Sequence, residues 1–159
     1  MKGNEKLLPV LNNLLSDELS AISQYMVHSE MCEGWGYGQL HKAIEKQAHD
    51  EMHHAEWLIQ RILFLEGTPV VSKLKAIHIG KNVEEIIGED QTAEQEAVAA
   101  YNSAINLSGE LKDQSTADLL TTILKMEEGH VDWAEKQRAQ IKDMGVQNYL
   151  VNQVSVDRG

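Results

Sequence analysis

Apolar residues recur at intervals of three and four along four long stretches of the chain, the spacing of one face of an α-helix. Leu11, Leu14, Leu15, Ile22 and Tyr25 mark the first stretch, from about Leu7 to Glu33, and Leu40, Ile44, Leu58, Ile62 and Leu65 the second. Val83, Ile87, Ala97, Tyr101 and Ile105 mark the third, and Leu120, Ile123, Ala134 and Ile141 the fourth. Glycine and proline punctuate the chain at Gly34, Gly36 and Gly38, at Gly67 with Pro69, and at Gly80, Gly109 and Gly145, so long helices lie between them. Pro9 falls within or just before the opening turns of the first helix, where a missing N–H costs least. The pattern predicts an all-α four-helix bundle over residues of about 5–143, within one domain spanning 1–159.

Connection lengths set the topology. The glycine-rich link near 34–38 and the link from Gly109 to Gln114 are short and join antiparallel neighbours, whereas 67–82 is a long stretch with little helical pattern. A helix of roughly 28 residues is about 42 Å long. Roughly sixteen extended residues reach about 53 Å, enough to run the length of the bundle and make the second and third helices parallel. After Gly145 an apolar segment carrying Val146, Tyr149, Leu150 and Val154 predicts a short fifth helix over about 146–155, which must dock on something because it is too short to stand alone.

Each stripe is broken near its middle by an acid: Glu18, Glu51, Glu94 and Glu127. A buried carboxylate without a partner is costly. Two of the acids carry a histidine three residues on, Glu51 with His54 and Glu127 with His130, a spacing that puts both side chains on one helix face. The positions repeat: Glu18 and Glu94, Glu51 and Glu127, His54 and His130, Tyr25 and Tyr101, and Trp57 and Trp133 are all 76 residues apart. Two superposable helical hairpins with a pseudo-twofold axis between the glutamates follow from that offset. Four carboxylates balance two divalent cations, and two imidazoles complete a ligand set that suits iron or manganese and accepts zinc. One Glu from each of two helices and a Glu-x-x-His from each of the other two is the ligand pattern of di-metal carboxylate bundles.

Tyr25 and Tyr101 lie two turns beyond Glu18 and Glu94, where each can bond a ligand carboxylate, take part in electron transfer or simply pack. The tryptophans read as core. His28, His41, His49 and His78 have no acid at ligand spacing, and His53 points off the ligand face, so all five read as surface or interface residues. The lone Cys32 forms no internal disulfide and receives no role.

Composition narrows the partners. Fourteen Lys and Arg against 25 Asp and Glu give a formal charge of −11, which disfavours nucleic acid and favours cations. No apolar run is long enough to cross a membrane, and Asn12, Asn13 and Asp17 interrupt the N-terminal apolar stretch before a signal-peptide core forms. The expected location is the cytoplasm, with no membrane partner.

The chain also resembles the bacterioferritins over essentially its full length. The residues that carry the likeness are the opening Met-Lys-Gly, Glu18 with Gln24-Tyr25, Trp35-Gly36, Asp50-Glu51-Met52 with His54-Ala55, the run from Arg61 to Gly67, Glu127-Glu128-Gly129-His130 with Asp132-Trp133, and Met144-Gly145 followed by Gln147 to Leu150. This resemblance implies a ferritin-like bundle in a hollow homo-oligomeric cage of twenty-four subunits, each holding a ferroxidase centre of two iron ions. Its ligands would be Glu18, Glu51, His54, Glu94, Glu127 and His130, with Glu51 and Glu127 bridging. The implied activity is oxidation of Fe²⁺ by dioxygen or hydrogen peroxide and storage of the ferric mineral in the cavity, which acidic pores would help to fill. It also implies haem b between subunit pairs, held by Met52, which sits one residue past Glu51 and so turns about 100° off the metal face. Packing at a dimer interface is the plainer role for Met52. A ferredoxin-like reductant would release the iron.

One departure stands out. Lys46 and Gln47 occupy positions where some relatives carry a histidine and a glutamate serving an inner-surface iron site, and only Asp50 of that set remains. Iron would then reach the core through the ferroxidase centre. The alternative function is a rubrerythrin-type di-iron peroxidase without a storage cavity, disfavoured because a single cysteine excludes a rubredoxin-like domain in this chain. A purely structural bundle would leave four inward glutamates uncompensated.

Overall fold

In the computed structural model, which describes residues 1–155, five helices follow one another: α1 (Leu7–Gly34), α2 (Gly38–Phe64), α3 (Val83–Glu110), α4 (Gln114–Met144) and α5 (Val146–Val151). Positions 156–159, the end of the expected domain, lie outside the described residues. The 76-residue offset extends to the elements themselves. Leu7 and Val83 open α1 and α3, Gly34 and Glu110 close them, and Gly38 and Gln114 open α2 and α4. Even the turns match, with Gly36 at φ 86° between α1 and α2 and Lys112 at φ 59° between α3 and α4.

Local chemistry sets the helix ends. Pro9 sits in the first turn of α1, among the amides that have no intrahelical acceptor. Asn82 caps α3 by accepting from the Glu85 amide at 2.9 Å, and Glu84 and Glu85 place negative charge at the positive end of the helix dipole. Asp113 caps α4 through the Thr116 amide at 3.0 Å while Arg61 of α2 holds the same carboxylate at 2.9 Å. Gly145, at φ 79°, lets the chain turn between α4 and α5.

Cross-helix contacts fix the directions. Glu18, Tyr25 and His28 of α1 meet Tyr101, Glu94 and Asp90 of α3, so numbers rise on one helix as they fall on the other. Since α1 and α3 run antiparallel and each heads a hairpin, α2 and α3 are parallel, and the crossover must travel the bundle's length. It does so along α1. Asn12 accepts from the Val70 amide at 2.8 Å and donates to the Thr68 carbonyl at 3.1 Å; Ser20 accepts from Lys75, Gln24 from His78 and His28 from Gly80. One polar stripe of α1 thus supplies the hydrogen bonds that a segment without secondary structure cannot make to itself.

His28 is therefore not the surface residue the sequence suggested. It is fully buried. Because the Gly80 amide donates to its Nε2, its proton lies on Nδ1 and goes to Asp90 Oδ1 at 2.7 Å, which also accepts from Gln24 at 2.8 Å. His41 is only partly exposed, bonded to the Ser29 carbonyl at 3.0 Å, while His53 stands in solvent.

The core splits in two around the acid layer. Leu7, Leu11, Leu14, Leu58, Ile62 and Leu120 pack at one end; Tyr25, Cys32, Leu40, Ile44, Ile86 and Tyr149 pack at the other. Tyr149 shows where the fifth helix docks: its ring is buried against the chain's own bundle and its hydroxyl donates to Gln137 at 2.7 Å. That helix ends at Val151, short of the expected residue 155, and the chain returns to α2 through a Gln39 amide bond to the Gln153 carbonyl.

Candidate metal centre

Glu18, Glu51, His54, Glu94, Glu127 and His130 all reach the layer between the two apolar clusters, each less than a tenth exposed. They form two overlapping groups, Glu18, Glu51, His54 and Glu127, and Glu51, Glu94, Glu127 and His130; within each group the ligand atoms lie within 4.8 Å of one another. Glu51 and Glu127 belong to both. His54 Nδ1 stands 2.7 Å from Glu51 Oε2 and 2.8 Å from Glu127 Oε1, and His130 Nδ1 stands 3.1 Å from both Glu51 and Glu94.

Both tyrosines cross from one hairpin to the other. Tyr25 donates to Glu94 Oε1 at 2.6 Å and Tyr101 to Glu18 Oε1, so each holds the outlying carboxylate of the opposite half. Burial and the facing carboxylates push both phenols upward in pKa, so they remain donors. Tyr25 thus bonds a carboxylate of the acid layer rather than merely packing.

The imidazoles are held by their far nitrogens. His130 Nε2 meets Asp50 Oδ2 at 3.0 Å, and His54 Nε2 meets Met126 Sδ at 3.3 Å, which aims both Nδ1 atoms at the centre. Asp50 and Met126 are themselves 76 residues apart, so the symmetry places an acid in one half where the other has a thioether. Neither orienting role was read from the sequence, although that offset pointed to both positions. Asp50 is further engaged by Lys46 at 3.1 Å, and His130 and Lys46 hold its carboxyl below the usual range against the effect of burial.

Electrostatics show how unfinished the centre is. Burial raises Glu51 well above the usual carboxylate range, and Glu18, Glu94 and Glu127 add to the shift. Burial and Glu127 push Glu94 up to about 7, while Glu127 stays low because its contacts with Glu94, His130 and His54 outweigh burial. Burial would lower both imidazoles, yet Glu127 and Glu18 hold His54 up at about 9, and Glu127, Glu94 and Asp50 hold His130 at about 11. Four buried atoms, Glu51 Oε2, Glu94 Oε2, Glu127 Oε1 and His54 Nδ1, make no hydrogen bond of acceptable geometry. A carboxylate-rich oxygen and nitrogen set with unspent acceptors fits two divalent cations.

Those protons must leave before a cation binds, which gives the sign of the pH dependence. Below about 9 His54 is protonated, and His130 is protonated to higher pH still. Affinity for Co²⁺ should therefore rise between about pH 6 and 8, with protons released on binding. Calorimetry in buffers of different ionisation enthalpy measures that release, and a flat affinity with no release would contradict the arrangement.

Two clefts reach the centre. One, of about 80 Å³, opens beneath the crossover between α1 and α3, and the other, of about 380 Å³, lies between α2 and α4 beside Lys46, Asp50 and His130.

Comparison with known proteins agrees with this architecture. The Ferritin family model, described as a ferritin-like domain, matches residues 9–144. The chain is 42% identical over 156 residues to the bacterial ferritin of Synechocystis sp., covering 98% of this chain and 100% of that protein. It is 36% identical to the bacterioferritin of Brucella melitensis over 94% of this chain and 92% of that one, and 37% identical to the bacterioferritin of Mycolicibacterium paratuberculosis over 98% of each.

Proposed function

The chain belongs to the ferritin-like family, among the bacterioferritins, and from that premise we propose that it takes Fe²⁺ as substrate, oxidises it at the buried acid and histidine layer, and stores the ferric product in a homo-oligomeric cage. The observation that carries this reading is the pair of overlapping ligand groups sharing Glu51 and Glu127. Each group offers one imidazole and three carboxylates. Glu18, Glu51, His54 and Glu127 would hold one ion, and Glu51, Glu94, Glu127 and His130 the other, so the two shared glutamates bridge. Two ions so placed give up one electron each to dioxygen or hydrogen peroxide. Tyr25 and Tyr101 keep Glu94 and Glu18 aimed inward, and the apolar clusters above and below keep bulk water from the ligands.

Support for a cage comes from what one copy leaves uncovered. Met26, Val27, Trp35, Met52, Leu63 and Phe64 are all exposed on the isolated chain, an apolar surface that calls for neighbours. Among the described residues no helix is long and apolar enough to cross a membrane. Sedimentation of the native protein together with anaerobic Fe²⁺ titration and aerobic stopped-flow oxidation tests the proposal. The expected result is a particle of several hundred kilodaltons, twenty-four copies of a 17.8 kDa chain, that takes two Fe²⁺ per chain and then oxidises them. A dimer or tetramer that reduces peroxide without retaining iron would establish the rubrerythrin-type alternative.

The same reading assigns Met52 to haem b. Its side chain is exposed on α2, in a groove of about 290 Å³ floored by Ile22, Met26 and Ala48 and edged by Glu30, Glu45 and His49, a mainly apolar recess that would take a flat group shared with a second copy. Haem there would supply a one-electron redox couple, and Met52 is the side chain that would hold it. Met52→Leu should preserve assembly and iron oxidation while abolishing the Soret band of haem-loaded protein; a retained band would place haem elsewhere.

A further inference from the structure

The cleft beneath the crossover is lined by the four glutamates of the centre and, nearer solvent, by Asp17, Lys75 and Glu96. Among its described lining residues Lys75 is the one basic side chain. Its ammonium pairs with Asp17, and its head stays accessible, with 42% of the side chain exposed. Its backbone is fixed: the Lys75 amide donates to Ser20 Oγ at 2.8 Å, and Ser20 in turn donates to the Ser16 carbonyl at 2.7 Å. A long flexible stem thus carries a positive charge from a pinned root into an opening where every other charged group is acidic.

That placement opposes the task of the opening. A cation approaching the four glutamates passes the ammonium, and of the two outer carboxylates, Asp17 and Glu96, the first is already taken. We propose that Lys75 is a tethered cationic plug, latched on Asp17, that limits how fast divalent cations pass through this cleft to the carboxylate centre. The proposal rests on the di-metal reading above. Displacement of the ammonium from Asp17 by the incoming ion opens the path, and the pinned root returns the side chain to its latch once the ion has moved inward. No covalent or redox step is involved, only exchange of one cation for another on a carboxylate.

The test uses the assembled protein and Co²⁺, whose visible absorption on binding carboxylate and imidazole reports arrival without any oxidation. In stopped-flow mixing at low ionic strength, Lys75→Gln should bind Co²⁺ faster by on the order of tenfold, with the same final stoichiometry, and the gain should shrink as salt screens the opening. Lys75→Arg, which keeps the charge and the backbone anchor, should bind at the wild-type rate. An unchanged or slower rate in Lys75→Gln would overturn the plug and direct traffic to the cleft beside Asp50. Equal acceleration by Lys75→Arg would also overturn it, since charge would then not be the barrier. Failure of the wild-type protein to take up two Co²⁺ per chain is a separate result that removes the di-metal reading and the plug with it.

Discussion

Glu127→Ala should assemble and keep its helices yet oxidise Fe²⁺ at least about a hundredfold more slowly, more than the effect typical of losing a residue that merely orients a ligand. Glu127 belongs to both ligand groups and approaches both imidazoles, at 2.8 Å from His54 and 3.8 Å from His130. On the proposed assignment its removal would deprive both ions at once, whereas removing Glu18 or Glu94 would deprive only one. The fold should survive because alanine is the strongest helix former and the two apolar clusters that flank the acid layer are untouched. Glu127→Gln, which keeps the volume, guards against a loss caused by packing alone. Stopped-flow absorbance of the ferric product measures the rate, and circular dichroism checks the helices. Oxidation at the wild-type rate would show that the shared glutamate bridges nothing.

His28→Leu should lower the unfolding temperature by about 10 °C, from a loss of about 3–5 kcal/mol in a chain of this length. The substitution strands two buried partners together. The Gly80 amide loses its acceptor, and Asp90 loses one of the two donors that Oδ1 now has, while its Oδ2 already has none. Asp90 is already raised by burial, against the bonds from His28 and Gln24, so it should take up a proton more readily in the variant. Thermal unfolding of the assembled protein beside His53→Ala, a change at an exposed histidine, separates the network from a general cost of losing an imidazole. Equal melting temperatures for the two variants would mean that the crossover is held by something other than this bond.

The contrast between His28 and the ligand histidines shows what sequence spacing can convey. His54 and His130 announce themselves because their acids lie one helical turn away on the same face. His28 finds its acid 62 residues away on α3 and its other partner on the crossover, and no local spacing encodes either. Asn12, Ser20, Gln24 and His28 are spaced by multiples of four and so trace a stripe that winds slowly around α1, but polar positions on an outer helix ordinarily mean solvent. Here they mean a strapped chain. The helix directions were legible from connection lengths, and the paired hairpins from the 76-residue offset. The offset marks Met126 as the counterpart of Asp50 but not the role of either, because a repeat draws the eye to identity and this pair differs. The fifth helix stops at Val151, earlier than the apolar pattern implies, because Asn152 and Gln153 turn the backbone before Val154 is reached.

The distribution of ligands between the hairpins has a final consequence. One ion would draw three donors from α1 and α2 and one from α4; the other would draw one from α2 and three from α3 and α4. Neither hairpin alone can complete a coordination shell. Cargo and mortar would then be the same substance: a loaded chain would be riveted across its own seam, and each round of emptying would leave that seam to the two tyrosine bonds and to the acid–imidazole contacts between α2 and α4. Iron-starved protein should breathe along the line between its two halves while each half stays intact, so the supply of metal sets the stiffness of the subunit that stores it.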